Sequence, residues 1–347
     1  MRKIVVKVGS SVIAPQGNLD SKLVGQLAKD VLLAERMGIK VILVSSGAIA
    51  CGLHALGHKK KPADMHLLMA ISSLGQIILM DEFNRQFKKL GLTCGQILLS
   101  WDDFEHRERF INIRKTIEHM LLLKAVPIIN ENDAVSSEEI KFGDNDRLSA
   151  LVANLVEAEQ LILLSDVEGL LDGKKVVKEV SGINAQILSL ARIEDKTHTS
   201  GGMFTKLEAA KIATASGIKT TIACGRIKGI ICHIAQGKTI GTLFLPASKK
   251  NKARKRWIAF SKKPKGAIII DAGAKEAILN RKKSLLCVGI IRAERDFKRG
   301  DCVEVLDESR NILGCGLVNY SAQELINCRS KKFEKEAIHR DNFVAKD

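Results

Sequence analysis

The sequence predicts an α/β protein with a mainly parallel central sheet, followed by a small C-terminal β-barrel. Three observations lead there. First, apolar β-branched runs such as KIVVKV and VILV each end in small or polar residues and lead into a stretch of helical period. That alternation marks a parallel sheet with right-handed crossovers. Second, residues 248–265 are dense in Lys and Arg. Third, after Gly266 short strands alternate with turns, in AIIIDAG, SLLCVGII, FKRGDCVEVLD and ILGCGLV, which reads as a small barrel with little helix. A chain of 347 residues is long enough for two or three domains. The expected boundaries are 1–247, a basic linker over 248–265, and 266–347.

In order, Lys3 to Val8 reads as a buried strand that turns at Gly9-Ser10-Ser11. Leu23, Leu27, Val31 and Ala34 mark a helix ending at Gly38, and Val41 to Val44 a second strand leading into Ser45-Ser46-Gly47. A long helix spans about Met65 to Leu90, and Ile97 to Leu99 a short strand. Trp101 opens a further segment, whose Arg107, Arg109 and Arg114 read as solvated or intersubunit charges. Gln160 to Leu164, Thr220 to Ala223 and Gly241 to Leu245 are later strands. Asp172-Gly173 between two apolar pairs signals a hairpin. The last residues, from Ser330, are expected to be loosely attached.

The chain is organised around PIINENDAVSSEEIKFGDNDRLSAL, from Pro127 to Leu151. A strand over Ala125 to Ile129 releases six carboxylates and three asparagines within seventeen residues, then closes on a helical apolar run from Leu148 to Leu155. Polar residues between a strand end and a helix form the usual ligand site of an open α/β sheet. A solvated loop with a capping sequence has the same composition. Lys7, a cation inside an apolar strand, reads either as an edge lysine snorkelling to solvent or as a lysine delivered to a phosphate beside a small-residue turn. Ser200-Gly201-Gly202 before the helix opened by Lys206 reads as helix entry or as a phosphate-binding turn.

The apolar fraction is 46%, and no apolar run reaches the roughly 18 residues of a membrane span. The N-terminal MRKIVVKVGSS does not read as a signal peptide. The eight cysteines include no C-x-x-C pair, so reduced thiols and a cytoplasmic location are expected. Of the net charge of +16, +11 lies from Ser248 onward and +5 before it. A basic C-terminal third suits a polyanion such as RNA, although plain lysine richness explains it as well. Gly237-Lys238-Thr239 ends like a P-loop but has Cys232 where the first glycine belongs. His339-Arg340-Asp341 lacks the other kinase-loop residues, and neither H-E-x-x-H nor G-x-S-x-G occurs.

VVKVGSSV, VSSGAIACG, PIINENDAV, IKFGDNDRLSALVA, LLSDVEGL, SGGMFTKLEAAKIA and ARKRWIAF stand in the order seen in the glutamate 5-kinases of the amino-acid kinase superfamily. The C-terminal IIIDAGAKEAIL, FKRGDCVEV and IHRDNFV resemble a PUA domain. Together they cover nearly the whole chain. The resemblance implies a three-layer α/β/α sandwich with a PUA-like barrel. It also implies phosphorylation of the L-glutamate γ-carboxylate by ATP with Mg2+, the first step of proline biosynthesis. Lys7 and Lys206 then match the phosphate-side lysines, and Asp146 the aspartate that holds them. Ser46, Asp133 and Asn145 match substrate positions. Lys7, Ser165, Asp166 and the run Ser200, Gly201, Gly202, Met203, Phe204, Thr205, Lys206 match nucleotide positions. No residue is assigned as a metal ligand. Proline feedback and a homo-oligomer, dimer or tetramer, are implied by the resemblance alone; no membrane partner is. Ser165 stands in place of a common threonine, Phe204 in place of a small residue, and the segment after Gly169 is short. The alternatives are a relative acting on another carboxylate, and an RNA-binding protein.

Overall fold

A computed structural model describes residues 1–136, 145–194, 202–247, 255, 257–259, 262–326 and 333–346. The chain divides into two units, Met1–Lys250 and Asn251–Asp347.

The first unit is built on one sheet. Its strands are β1 (Arg2–Val8), β2 (Ile39–Ser45), β3 (Thr93–Leu99), β4 (Ala125–Glu131), β5 (Gln160–Ser165), β8 (Glu179–Val180), β9 (Lys219–Cys224) and β10 (Thr242–Phe244), counting β6 (Leu171–Asp172) and β7 (Lys175–Val176) as a separate hairpin. The order is β3-β4-β2-β1-β5-β9-β10-β8, and the first six are parallel. β10 runs antiparallel to β9. Parallel strands are covered on both faces, so β1 reads as a continuous apolar run broken only by Lys7.

Side chains alternate across a strand. Ile4, Val6 and Val8 of β1 join Leu43, Ile162 and Leu164 in a core cluster with the helices Ser21–Arg36, Met65–Lys88 and Ile230–Ala235. Lys7 therefore faces the opposite layer, where the helices Asn145–Leu155 and Met203–Ala215 lie. The result is a three-layer sandwich.

Local chemistry sets the helix starts. Asp20 caps the first long helix by accepting from the Leu23 N–H at 3.0 Å. Asp64 caps the second by accepting from His66 and Leu67. The helices Ala48–Ala55 and Met65–Lys88 then meet main chain to main chain at Gly52 and Gly75. A methyl group at Gly75 would run into the Ala48 carbonyl oxygen and the Gly52 nitrogen, both backbone. We expect Gly75→Ala to destabilise the unit by about 2 kcal/mol or more, through forced separation of the helices. An unchanged melting temperature would show that the helices separate at no cost.

Two sequence expectations are corrected, the start of β3 and the end of β4. β3 begins at Thr93, four residues before Ile97; as an edge strand it alternates in burial and leaves no apolar run to read. Asn145 and Asp146 are the first two residues of their helix, and both are wholly buried. β4 runs on through Asn130 and Glu131, so these polar side chains are held by the sheet. The 172–173 hairpin forms as expected, with Leu171 paired to Val176.

The second unit carries a five-stranded, largely antiparallel sheet in the order β12-β11-β13-β14-β15. Its strands are β11 (Gly266–Ile270), β12 (Ile290–Glu294), β13 (Cys302–Leu306), β14 (Ile312–Leu317) and β15 (Phe343–Ala345). The texture of short strands is as read. AIIIDAG, however, is strand only to Ile270; Asp271 then accepts from the Ala274 N–H at 2.7 Å and starts the helix Ala272–Leu279. The tail expected to be loose supplies β15, paired to β14. Among the described residues no helix is long and apolar enough to cross a membrane. Most of the proposed linker lies outside the described residues.

Candidate active site

In the sheet order, the connections run one way from β1 through β2 to β4, and the other way from β5 to β9. The carboxyl ends of β1 and β5 therefore flank a switch point, where helices leave the sheet on divergent paths and open a crevice. Four strand ends deliver side chains there: Lys7, Ser45-Ser46, Asn130-Glu131 and Ser165-Asp166.

Asp146 lies at the centre. Its Oδ1 is 2.6 Å from Lys7 Nζ and its Oδ2 is 3.1 Å from Lys206 Nζ. Thr205 Oγ1 also lies 2.9 Å from Oδ2. Asp146 is 0% exposed, Lys7 4% and Lys206 5%, so solvent screens this triad little. Burial pushes the Asp146 carboxyl up. The ammonium of Lys7, then that of Lys206, and hydrogen bonds from Lys7 and Thr205 outweigh this and hold it below the usual carboxylate range. Burial pulls Lys206 below the ordinary lysine value; Asp146 opposes this and repulsion from Lys7 adds to it. Two ammonium groups against one carboxylate leave the cluster positive.

A second network lies on the β2–β4 side. The Asn145 amide donates to the Ser45 carbonyl at 3.1 Å, Ser46 Oγ at 2.9 Å and Asn130 Oδ1 at 2.9 Å. Asn130 donates to Gln76 Oε1 at 2.8 Å. Asp133, buried, accepts from Ser72 Oγ at 2.5 Å. Asn145 and Asp146 are adjacent in one helical turn, so the helix start Asn145–Asp146 ties this network to the lysine triad.

On the β5–β9 side, Ser165 Oγ donates to Asp166 Oδ1 at 3.0 Å, and Asp166 is exposed. Beside them is a cavity of about 340 Å3, lined by Glu168, Val176, Lys178, Cys224, Ile227 and Ile240 among others. Gly202 precedes the helix Met203–Ala215 with no side-chain cap, so the positive end of the helix dipole lies at this point without one. Met203 is buried, and Phe204 and Thr205 are half-buried on that first turn. Ser200, Gly201, Gly143 and Asp144 lie outside the described residues.

The amino acid kinase family profile matches residues 2–224, and the PUA domain profile residues 266–339. The chain belongs to the amino acid kinase family. It is 39% identical to "Glutamate 5-kinase" of Thermoanaerobacter sp. (strain X514), over 99% of this chain and 97% of the relative. It is 40% identical to that of Syntrophotalea carbinolica, over 100% and 98%. It is 41% identical to that of Methylococcus capsulatus, over 99% and 97%.

Several residues at the centre of this candidate site went unread in the sequence. Ser72 and Gln76 sit four apart in a mainly apolar stretch of helix, MHLLMAISSLGQIILM, and so share one face. Two polar residues at that spacing are the signal that was available. Arg147, next to Asp146, stacks its guanidinium 3.7 Å from the centroid of the Trp101 ring, which braces the start of the 145–155 helix. Neither sequence position points to the other. The apolar slot of Val176, Ile227 and Ile240 is assembled from three separate segments.

Proposed function

We propose that this chain transfers the γ-phosphoryl group of ATP to the γ-carboxylate of L-glutamate, giving γ-glutamyl phosphate and ADP, the first step of proline biosynthesis. The observation that carries the reading is the buried Asp146 carboxylate gripped at both oxygens by Lys7 and Lys206. The relatives named "Glutamate 5-kinase" support the substrate.

The γ-carboxylate is already ionised at neutral pH, so no general base is required. One carboxylate oxygen bonds to the γ-phosphorus as the bond from that phosphorus to the bridging oxygen breaks, and the electron pair leaves with ADP. The obstacle is repulsion, roughly 4 kcal/mol per unit pair at about 4 Å and an effective dielectric of 20. Lys7 and Lys206 offset it, and Asp146 with Thr205 fixes where their ammonium groups sit. Asp133 takes the glutamate ammonium by charge, with Ser72 orienting its carboxylate; Ser46 and Asn145 hydrogen-bond the substrate. Ser165, Asp166 and the run Ser200 to Lys206 take the nucleotide, with the base in the slot beside Ile227 and Ile240. Mg2+ enters with ATP as part of the co-substrate, where it neutralises charge on the phosphate oxygens. Asp146 is already engaged by lysines, and among the described residues no group of three or more His, Cys, Asp or Glu is placed to hold a metal ion. The residues thus fit a cation carried by the phosphates better than one caged by the protein.

The test is ATP-dependent hydroxamate formation with hydroxylamine, which traps an acyl phosphate. Glutamate, aspartate and N-acetylglutamate are compared side by side. A signal with glutamate alone is expected; silence with all three from folded, ATP-binding protein would overturn the reading. For Asp133→Ala we expect the glutamate KM to rise by about tenfold or more, as one charged hydrogen bond is lost, with the ATP KM nearly unchanged. A selective loss of ATP binding would remove Asp133 from the ammonium site.

For the C-terminal unit, the charge of +11 from Ser248 onward favours a second reading, retention of RNA. A steep salt dependence is expected, and no retention at low salt would end that reading. Proline inhibition and a homo-oligomer complete the proposal.

A further inference from the structure

A second cavity, of about 420 Å3, lies between the helices Ser21–Arg36 and Met65–Lys88. That volume is within the range of small-ligand sites. Its lining includes Lys22, Lys29 and Lys89, all exposed, and no carboxylate. Among the described residues none of the three pairs with a carboxylate; Lys89 donates instead to Gln86 Oε1 at 3.3 Å.

The polar groups around the lysines are already committed. Glu82, buried, accepts from Ser21 Oγ at 2.6 Å and from the Gln86 amide at 2.6 Å, and pairs with Arg85. Asp30, also buried, accepts from the Gln26 amide at 2.8 Å and from the Ile231 N–H at 3.3 Å. The two glutamines of the wall are thus held in place by buried carboxylates. Gly25 stands inside the helix where glycine is unfavourable, and any side chain there would press on Gln86 Oε1. Its absence keeps the cavity open. The outcome is a fixed polar wall with three cations of one sign around an opening.

We propose that this cavity binds a small phosphate-bearing anion. Lysine ammonium groups act as point charges toward phosphate, and three together favour a polyanion over a single carboxylate. The helix Met65–Lys88 also carries Gln76 and Ser72, about three and four turns from Gln86. An occupant that bridges the two helices therefore bears on the Asp133 and Asn130 network.

The probe is pyrophosphate, titrated against the full chain at physiological ionic strength. The readout is the acetylation rate of each lysine, measured by mass spectrometry. Lys22, Lys29 and Lys89 should slow together with one midpoint, by about fivefold or more near saturation. Lys59 and Lys60, exposed neighbours in a basic loop, should change little. Lys29→Glu, a surface change, should abolish protection of Lys22 and Lys89. Lys206→Ala should leave that protection intact, because the ion seen there is not the one at the triad. Equal slowing at Lys59 and Lys60, protection that survives Lys29→Glu, protection lost in Lys206→Ala, or no protection would each overturn the proposal.

Discussion

Lys206→Ala should lower kcat by about 100- to 1,000-fold, the usual cost of removing one charge-stabilising donor from a dry site. The fold should barely notice. Asp146 keeps Lys7 at 2.6 Å and Thr205 at 2.9 Å, so the buried carboxylate is not orphaned. The removed ammonium is held below its ordinary pKa by burial, so the fold loses a charge it was already accommodating at a cost. Steady-state kinetics together with thermal unfolding make the check: a large fall in kcat with a small change in melting temperature. The wild-type alkaline limb should also fall below the ordinary lysine value of 10.5, where the depressed Lys206 loses its proton. Full activity in Lys206→Ala would take this lysine out of the mechanism.

Asp146→Asn should be worse for both stability and activity. It removes the carboxylate that two buried lysines, 4% and 5% exposed, share. Breaking a buried pair costs about 3–5 kcal/mol, because the remaining charge is uncompensated. Here two such charges remain, and we expect the upper end. The pH dependence follows from the signs. In the wild type the Asp146 pKa is depressed, so its contribution is present above the ordinary value of 3.8 and is lost as pH falls through the depressed one. The variant lacks that acid-side loss. Instead Lys206, which Asp146 no longer holds up, is pushed further down, the unfolded state binds more protons, and stability rises from neutral to alkaline pH more steeply than in the wild type. Denaturant titrations at several pH values read this directly. A variant as stable as the wild type at neutral pH would mean that the lysines do not need Asp146.

Much of this was legible in the chain, and for a physical reason. Strands buried on both faces leave apolar runs, so β1, β2 and β5 announce themselves, and Lys7 stands out because it interrupts one. The NEND and GDND clusters are dense enough in polar groups to be seen without a structure. Ser72 and Gln76 were hidden because their helix reads as core, and their partners Asp133 and Asn130 lie more than fifty residues away. Arg147 was hidden for the same reason: its partner Trp101 is on another segment. β3 was misjudged at its start because an edge strand need not be apolar. Helix Ala272–Leu279 was missed because AIIIDAG was read through Asp271, a cap, as continuing strand.

The contact of Gly52 with Gly75 has a bearing on how this protein can change. Because the helix that carries Ser72 and Gln76 rests on bare main chain, its distance from the helix Ala48–Ala55 is set by atoms that every residue possesses. Trading side chains at that contact can push the helix outward but cannot draw it closer. On the proposed placement of the acceptor, selection for a shorter or longer dicarboxylate therefore has few routes on this wall. It must work through the tips of Ser72 and Gln76, or from the opposite side at Ser46 and Asn145. Laboratory evolution toward another acceptor should accordingly gather substitutions there and leave the two glycines untouched.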